Sequence, residues 1–447
     1  MLQLKIISII CLCILVSTLV HSDIQADERV PRLKDDIVNI QDLAQLIGEG
    51  QLFVIFPQKN RLLNVQGTKD KEDFDTRFVS SMAIVNASAD SVRNVINDYG
   101  HYSEFMPQND HSEVIEKTKD FVVARYSVFV QLPVFKIHAT FDLKHQLDDH
   151  GDITWSLVSG KMKASLGRWE IIPMSEKQTL VINTSWSDHK SIGFFSRILI
   201  KAQPDLAMAV PIGTTALMLE AVKRRAENIK LFQPQTGDDL PTSPQIPYLS
   251  TQTIPINTLN ALLLKGKLLL VHPRQWIKTS DQTPLDFVFT SGIAIVNSPI
   301  EQVQSISTDV SQYPDIFYQV KGVNERKKTL EKEIDWYLKL WFSFFSFKIN
   351  LTHQYFWEND HILTFMREKG DLEYVFGRRE WMAISPQKTL LVFTTAFQGG
   401  KTAPLLINFI NMLPNSQVIG STSVCSVIID KHIPWIENKL KSLKKQR

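Results

Sequence analysis

The sequence predicts an α+β protein made of two copies of one domain, each a curved antiparallel sheet around a long C-terminal helix. Three features carry that expectation. The chain repeats itself in colinear order, several stretches of each copy alternate apolar and polar residues with a period of two, and each copy closes on a long helical segment after a proline.

The repeat is read residue by residue. Ile40, Leu43, Leu46, Gly50, Leu52 and Pro57 recur as Ile256, Leu259, Leu262, Gly266, Leu268 and Pro273, an offset of 216. Ala83-Ile84-Val85-Asn86 recurs as Ala294-Ile295-Val296-Asn297, and Val92 and Tyr102 match Val303 and Tyr313, all at 211. Gly167-Arg168 and Glu170 recur as Gly377-Arg378 and Glu380, with Thr179-Leu180 and Pro204 matching Thr389-Leu390 and Pro414, at 210. So slow a drift marks an internal duplication. The boundaries that follow are residues 1–22 as a signal peptide, 23–77 as an N-terminal extension of copy one and 78–230 as its domain. Residues 231–253 form a linker, 254–285 the extension of copy two and 286–440 its domain. Pro234, Pro241, Pro244 and Pro247 make the linker an extended, semi-rigid spacer.

Within copy one, the Ile-x-x-Leu-x-x-Leu spacing predicts a helix ended by Gly50, then a strand from Leu52 to Phe56. A strand over Phe78 to Val85 leads to a helix capped by Asn86, Ser88 or Asp90, and a helical turn spans Tyr102 to Met106. Strands follow over Phe121–Val130, Phe135–Leu143, Ile153–Ser159, Gly167–Ile172 and Leu180–Trp186. Lys136, His138, Thr140 and Asp142 alternate with Ile137, Ala139, Phe141 and Leu143, so the sheet has one wet and one covered face. The closing helix after Pro204 is expected to break at Pro211.

Composition narrows the function. Hydrophobic residues make up 44% and charged residues 21% of 447, ordinary values for a globular chain. Lys plus Arg number 49 against 47 Asp plus Glu, which leaves no electrostatic footprint for nucleic acid. Lys5 followed by the apolar run Ile6 to Val20 reads as a signal peptide cut after Ser22, giving a periplasmic or secreted protein; an uncleaved anchor is the alternative. Cys11 and Cys13 fall in that segment, so Cys425 alone remains, among apolar neighbours, as a buried thiol. No glycine-rich phosphate loop, His-Glu-x-x-His or Gly-x-Ser-x-Gly occurs, and His101, Asp110 and His111 lie too loosely spaced for a metal site. No catalytic residue, metal or cofactor is therefore expected.

Three motifs bear a resemblance. The first is the strand-to-helix step, Ile84-Val85-Asn86-Ala87-Ser88-Ala89 and Ile295-Val296-Asn297-Ser298-Pro299. The second is the stretch from Asp98-Tyr99 through Tyr102 and Phe105 to Pro107, matched more loosely by Asp309, Tyr313, Pro314 and Phe317. The third is Gly167-Arg168-Trp169-Glu170, which becomes Gly377-Arg378-Arg379-Glu380. In this order they resemble the helix-grip fold of the START-like (SRPBCC) superfamily, in particular its polyketide cyclase/coenzyme Q-binding START group. The resemblance spans Phe78 to Asn228 and Phe287 to Asn438. It implies a cavity between sheet and long helix that holds lipids, quinones or polyketides, and it does not imply one activity.

By alternation the covered face carries Ile137, Ala139, Phe141, Trp155, Leu157, Trp169, Ile171, Leu180, Ile182 and Trp186 in copy one. In copy two it carries Ile349, Leu351, His353, Tyr355, Phe365, Arg379, Trp381 and Leu390. Phe141, Trp155, Trp169, Trp186, His353, Tyr355, Phe365, Arg379 and Trp381 are the expected ligand contacts; a plain packed core is the alternative for each. Copy one then offers no titratable inward residue, which favours binding of a hydrophobic small molecule or lipid over cyclase-like chemistry. A protein-interaction module with a vestigial cavity is the third reading. Trp341, Phe342, Phe344 and Phe345 are expected at a turn, to be covered by a membrane surface, by the protein itself or by a partner.

Overall fold

A computed structural model describes residues 30–57, 59–63, 72–131, 136–188, 206–229, 239–249, 255–327, 332–342, 345–399 and 416–446. The expected signal peptide and parts of the linker lie outside these residues. Copy one runs α1 (Ile40–Ile47), β1 (Gln51–Ile55), β2 (Lys59–Leu63), β3 (Glu72–Thr76), β4 (Val79–Val85), α2 (Ala89–Asn97) and α3 (Tyr102–Phe105). It continues through β5 (Asn109–Lys117), β6 (Phe121–Gln131), β7 (Lys136–Leu147), β8 (Ile153–Gly160), β9 (Ser165–Ser175) and β10 (Gln178–Ser187) to α4 (Leu206–Ala226). Copy two repeats this with α5 (Ile256–Lys265), β11 (Lys267–Val271), β12 (Gln275–Lys278), β13 (Pro284–Phe287), β14 (Thr290–Val296), α6 (Ile300–Ser307) and α7 (Tyr313–Ile316). Then come β15 (Val320–Lys327), β16 (Lys332–Phe342), β17 (Phe345–Asn359), β18 (Ile362–Gly370), β19 (Tyr374–Ser385), β20 (Lys388–Gln398) and α8 (Ser416–Gln446).

Local chemistry explains several boundaries. The Asn39 side chain accepts from the amides of Gln41 and Asp42 and starts α1, whose Leu43, Leu46 and Ile47 form one buried stripe. Gly48, at φ +54°, ends that helix, two residues before the expected Gly50. Gly50 has another task, as a Cβ there would run into the Val271 carbonyl, and Gly266 stands likewise against the Ile55 carbonyl. Of the three candidate caps for α2, Ser88 acts, accepting from the Ser91 amide at 3.2 Å. The helix α4 passes through Pro211 rather than breaking there, and α8 passes through Pro434.

The two copies do not stand apart. Strand β1 pairs antiparallel with both β4 and β11, and β11 pairs with β14, so a single antiparallel sheet of 16 strands runs through both copies. In the central pair Phe53 faces Leu269, its own equivalent at the 216 offset. A pseudo-two-fold axis therefore passes between them, the arrangement of an isologous dimer on one chain. Helices α4 and α8 pack against each other on one face of this central sheet, where Phe53, Ile212, Leu269, Val418 and Ile429 form a shared core. The opposite face buries Leu43, Leu52, Leu180, Leu259, Leu268 and Leu390. The described part of the linker lies along copy two: Lys278 donates to the Pro241 carbonyl at 2.8 Å and Arg378 to the Ile246 carbonyl at 2.7 Å.

Candidate functional site

In copy one the inner face of β6 to β10 meets α2, α3 and α4. Trp155, Trp169, Leu157, Tyr99, Tyr102, Tyr126 and Val181 pack there with Leu219 and Val222 of α4. Phe141 and Ile171 pack against the same cluster from partly buried positions. The Trp155 and Trp169 rings stand 6.2 Å apart. Trp155 lies flat on Gly167, where any Cβ would collide with the indole; Phe365 covers Gly377 in the same way.

Alternation misplaced some residues. Strand β10 turns Val181 inward, so Leu180 and Ile182 pack on the opposite face of the sheet, as does Leu390 in copy two. Trp186 shares their parity and packs with Val30, Phe78, Ala164 and Leu166, away from Trp155 and Trp169. Copy one also has a titratable inward residue, His145. Its Nε2 lies 2.9 Å from the Tyr126 hydroxyl and its ring stacks on Tyr99 at 4.0 Å. It shares the parity of Leu143, and the alternation from Phe141 pointed to it. Burial pushes His145 down to about 3 and raises Tyr126 well above its ordinary value. Asn183 is fully buried and neither atom of its amide has a hydrogen-bond partner.

Copy two presents a more polar wall. His353, Tyr355, Phe365, Trp381 and Arg379 come together among Tyr313, Trp336, Ile349 and Leu351. His353 stacks on Phe365 at 5.5 Å. Arg379, 4% exposed, donates to the Ser307 carbonyl at 2.8 Å, and its guanidinium lies 5.5 Å from the Tyr313 ring and 5.6 Å from Phe393. Trp381 donates to the Ser307 hydroxyl at 2.9 Å. His432 of α8 stands against Tyr313 at 5.1 Å and stacks on Trp435, a contribution hidden within a long helix in the sequence. Burial first, then the charge of Arg379, lowers His353 and His432 to about 3. A cavity of about 10 Å³, room for one water, lies between Arg379, Ser307, Leu391 and Phe393 on one side and Ile429 and His432 on the other.

Strand pairing fixes the equivalences. Ala124 faces Leu143 and Ile334 faces His353, so His353 replaces Leu143, and Phe141 corresponds to Leu351. Tyr126 and His145 become Trp336 and Tyr355. The cross-strand pair Trp169–Asn183 becomes Arg379–Phe393, with its polar member moved to the neighbouring strand. The Glu of the third motif has the same role in both copies. Glu170 accepts from the amides of Leu33 and Lys34, and Glu380 from that of Leu249, equivalent to Leu33 at the 216 offset. Burial raises Glu170 to about 7 and Glu380 to about 8.

The aromatic hairpin is tighter than expected. Trp341 faces Ser346 and Phe342 faces Phe345 in strand register, so these four belong to the sheet rather than to the turn. Phe344 lies outside the described residues. His101 sits 2.6 Å from Asp98, while Asp110 faces His138 at 3.3 Å.

Residues 85–228 match the family model described as polyketide cyclase / dehydrase and lipid transport. Among curated relatives, a ribosome association toxin RatA from Vibrio cholerae is 34% identical over 98 residues, 22% of this chain and 65% of that protein. The persistence and stress-resistance toxin PasT from Escherichia coli O6:H1 is 31% identical, over 22% of this chain and 60% of that protein. The chain thus spans less than two thirds of the length of these relatives. Similar solved structures include the Zhui aromatase/cyclase from a Streptomyces species, at 21% identity, covering 34% of this chain and 94% of that one with a TM-score of 0.28. The di-domain aromatase/cyclase StfQ is 10% identical and covers 79% of this chain and 97% of its own, with a TM-score of 0.26. The family match thus falls on the domain at residues 85–228, and the second copy repeats the order of elements of that domain.

Proposed function

We propose that the protein is an exported carrier that holds a lipid, a quinone or a similarly hydrophobic molecule between the sheet and the closing helix of each copy. The observation that carries this is the inner wall itself. Aromatic rings from several strands converge against one helix, and each wall keeps buried polar atoms without partners, Asn183 in copy one and His353 in copy two. Such a wall suits an apolar molecule with a few polar groups. The apolar run Ile6 to Val20 supports export. Lipid transport also stands in the description of the matched family.

A cyclase-like reaction in the same place needs an acid or base poised near neutrality. His145 at about 3 and Tyr126 far above 10 are poised on either side of it, which favours carriage over catalysis. Ribosome association, named for the relatives, finds no support in a balance of 49 basic and 47 acidic residues. Solvent extraction of the purified protein followed by mass spectrometry tests the reading. A hydrophobic species recovered in near-stoichiometric amount is expected. Recovery of none, together with no binding of fatty acid, quinone or phospholipid probes, would overturn it.

A further inference from the structure

We infer that copy two is selective for an amphiphile ending in a carboxylate, which Arg379 receives, and that copy one is not. This rests on the carrier reading and names the chemical class taken by one of its two sites.

The argument begins with an unbalanced charge. A guanidinium stays protonated in any protein environment, and burying one without a counter-ion is costly. Arg379 is 4% exposed and forms no ion pair among the described residues. Its Nε has no partner, and its hydrogen bond from Nη1 goes to a neutral carbonyl, that of Ser307. The faces of Tyr313 and Phe393 offset part of the cost. Around it stand further groups able to donate. Nε2 of His432 and both ring nitrogens of His353 lack partners, with His432 4% and His353 8% exposed. Both imidazoles are held neutral, so His353, with neither nitrogen bonded, keeps one N–H to offer, and His432 offers one in the tautomer protonated at Nε2.

The remainder of the cavity lining is apolar, Leu391, Phe393, Ile428, Ile429 and Ile433 among it. A cation with spare donors, enclosed by hydrocarbon, matches an anion carried on an apolar tail. The space is now that of one water, so a carboxylate requires the helical wall to give. Ile428, Ile429, His432 and Ile433 lie just ahead of Pro434, which has no amide proton for the carbonyl of Asp430 and so weakens α8 at that turn. Copy one has Trp169 in place of Arg379 and lacks the charge.

The test uses the full chain with a fluorescent polyene fatty acid of eighteen carbons and its methyl ester, titrated by fluorescence. The acid is expected to bind at least about ten-fold tighter than the ester, the worth of one charge-assisted contact. Arg379→Gln should abolish the preference for the acid over the ester, and Arg379→Lys should keep a reduced preference. Circular dichroism confirms that each variant is folded, and the Lys variant carries the test if the Gln variant is not. Equal binding of acid and ester by the natural chain overturns the inference and leaves the carrier reading standing. A preference that survives in folded Arg379→Gln also overturns it. Binding of neither probe overturns this inference, and the carrier reading falls with it only when quinone and phospholipid probes also fail to bind. Acetate that shifts the unfolding midpoint as far as the long acid does would show a site for small free anions and overturn the amphiphile.

Discussion

Adding one methyl group at Gly167 tests whether the wall of copy one is as closely fitted as its geometry implies. Gly167 on β9 faces Trp155 on β8, and a Cβ there would fall among the carbons of the indole ring. Trp155 is 5% exposed and backed by Trp169, 1% exposed, so the ring has no free direction in which to slide. Overpacking a core costs roughly 1–3 kcal/mol, and expelling a large aromatic side chain costs roughly 3–5 kcal/mol. For Gly167→Ala we expect a loss of about 3 kcal/mol, where the two ranges meet. Urea unfolding followed by circular dichroism and tryptophan fluorescence measures it. Trp155→Leu removes the obstructing ring, so the double variant should cost less than the sum of the two single ones by more than about 1 kcal/mol. A single-variant cost under about 0.5 kcal/mol, or strict additivity, would refute the packing argument.

Four further outcomes are expected. Glu170 has a folded pKa of about 7, above its ordinary 4.5, so its contribution to stability is complete below pH 4.5 and is lost as pH rises through 7, by up to about 3 kcal/mol. The difference in stability between the natural chain and Glu170→Gln should fall across that window, and a difference that is flat from pH 4.5 to 8 would contradict the assignment. His145 has the opposite sign: its folded pKa of about 3 makes its contribution complete above pH 6.5 and lost as pH falls toward 3. His145→Phe should therefore lose about 1–3 kcal/mol at pH 7, where the Tyr126 hydroxyl is left without its partner, and the deficit should shrink at pH 4.5. Trp169→Ala should weaken binding of an apolar probe by more than its loss of stability explains; unchanged binding with a loss of about 3 kcal/mol would make Trp169 ordinary core. Replacing Trp341, Phe344 and Phe345 with Ser should abolish sedimentation with phospholipid vesicles if the hairpin docks on membranes, and unaltered sedimentation would reject that role.

Much of the wall was legible because a strand's period of two is a local property. Trp155, Trp169 and Phe141 in copy one, and His353, Tyr355, Phe365, Arg379 and Trp381 in copy two, share clusters with their inward neighbours. Trp186, Leu180 and Ile182 did not follow, because both faces of β10 are buried and an apolar residue on either face looks the same in the sequence. His145 escaped because histidine reads as polar, while its partner Tyr126 comes from another strand. His432 escaped because nothing in a long helix says which turn will meet Arg379.

What the sequence by itself determined was the colinear repeat and most of the order of helices and strands within each copy. These follow from spacing and side-chain size along short stretches of chain. Only the tertiary structure decided that β1 and β11 join the copies into one sheet, with Phe53 against Leu269 on the pseudo-dyad. An edge strand carries unpaired amides and carbonyls that any other edge can satisfy, and the local pattern does not name which one does. The same holds for Arg379, whose missing counter-ion appears only once every element packed around it is in place.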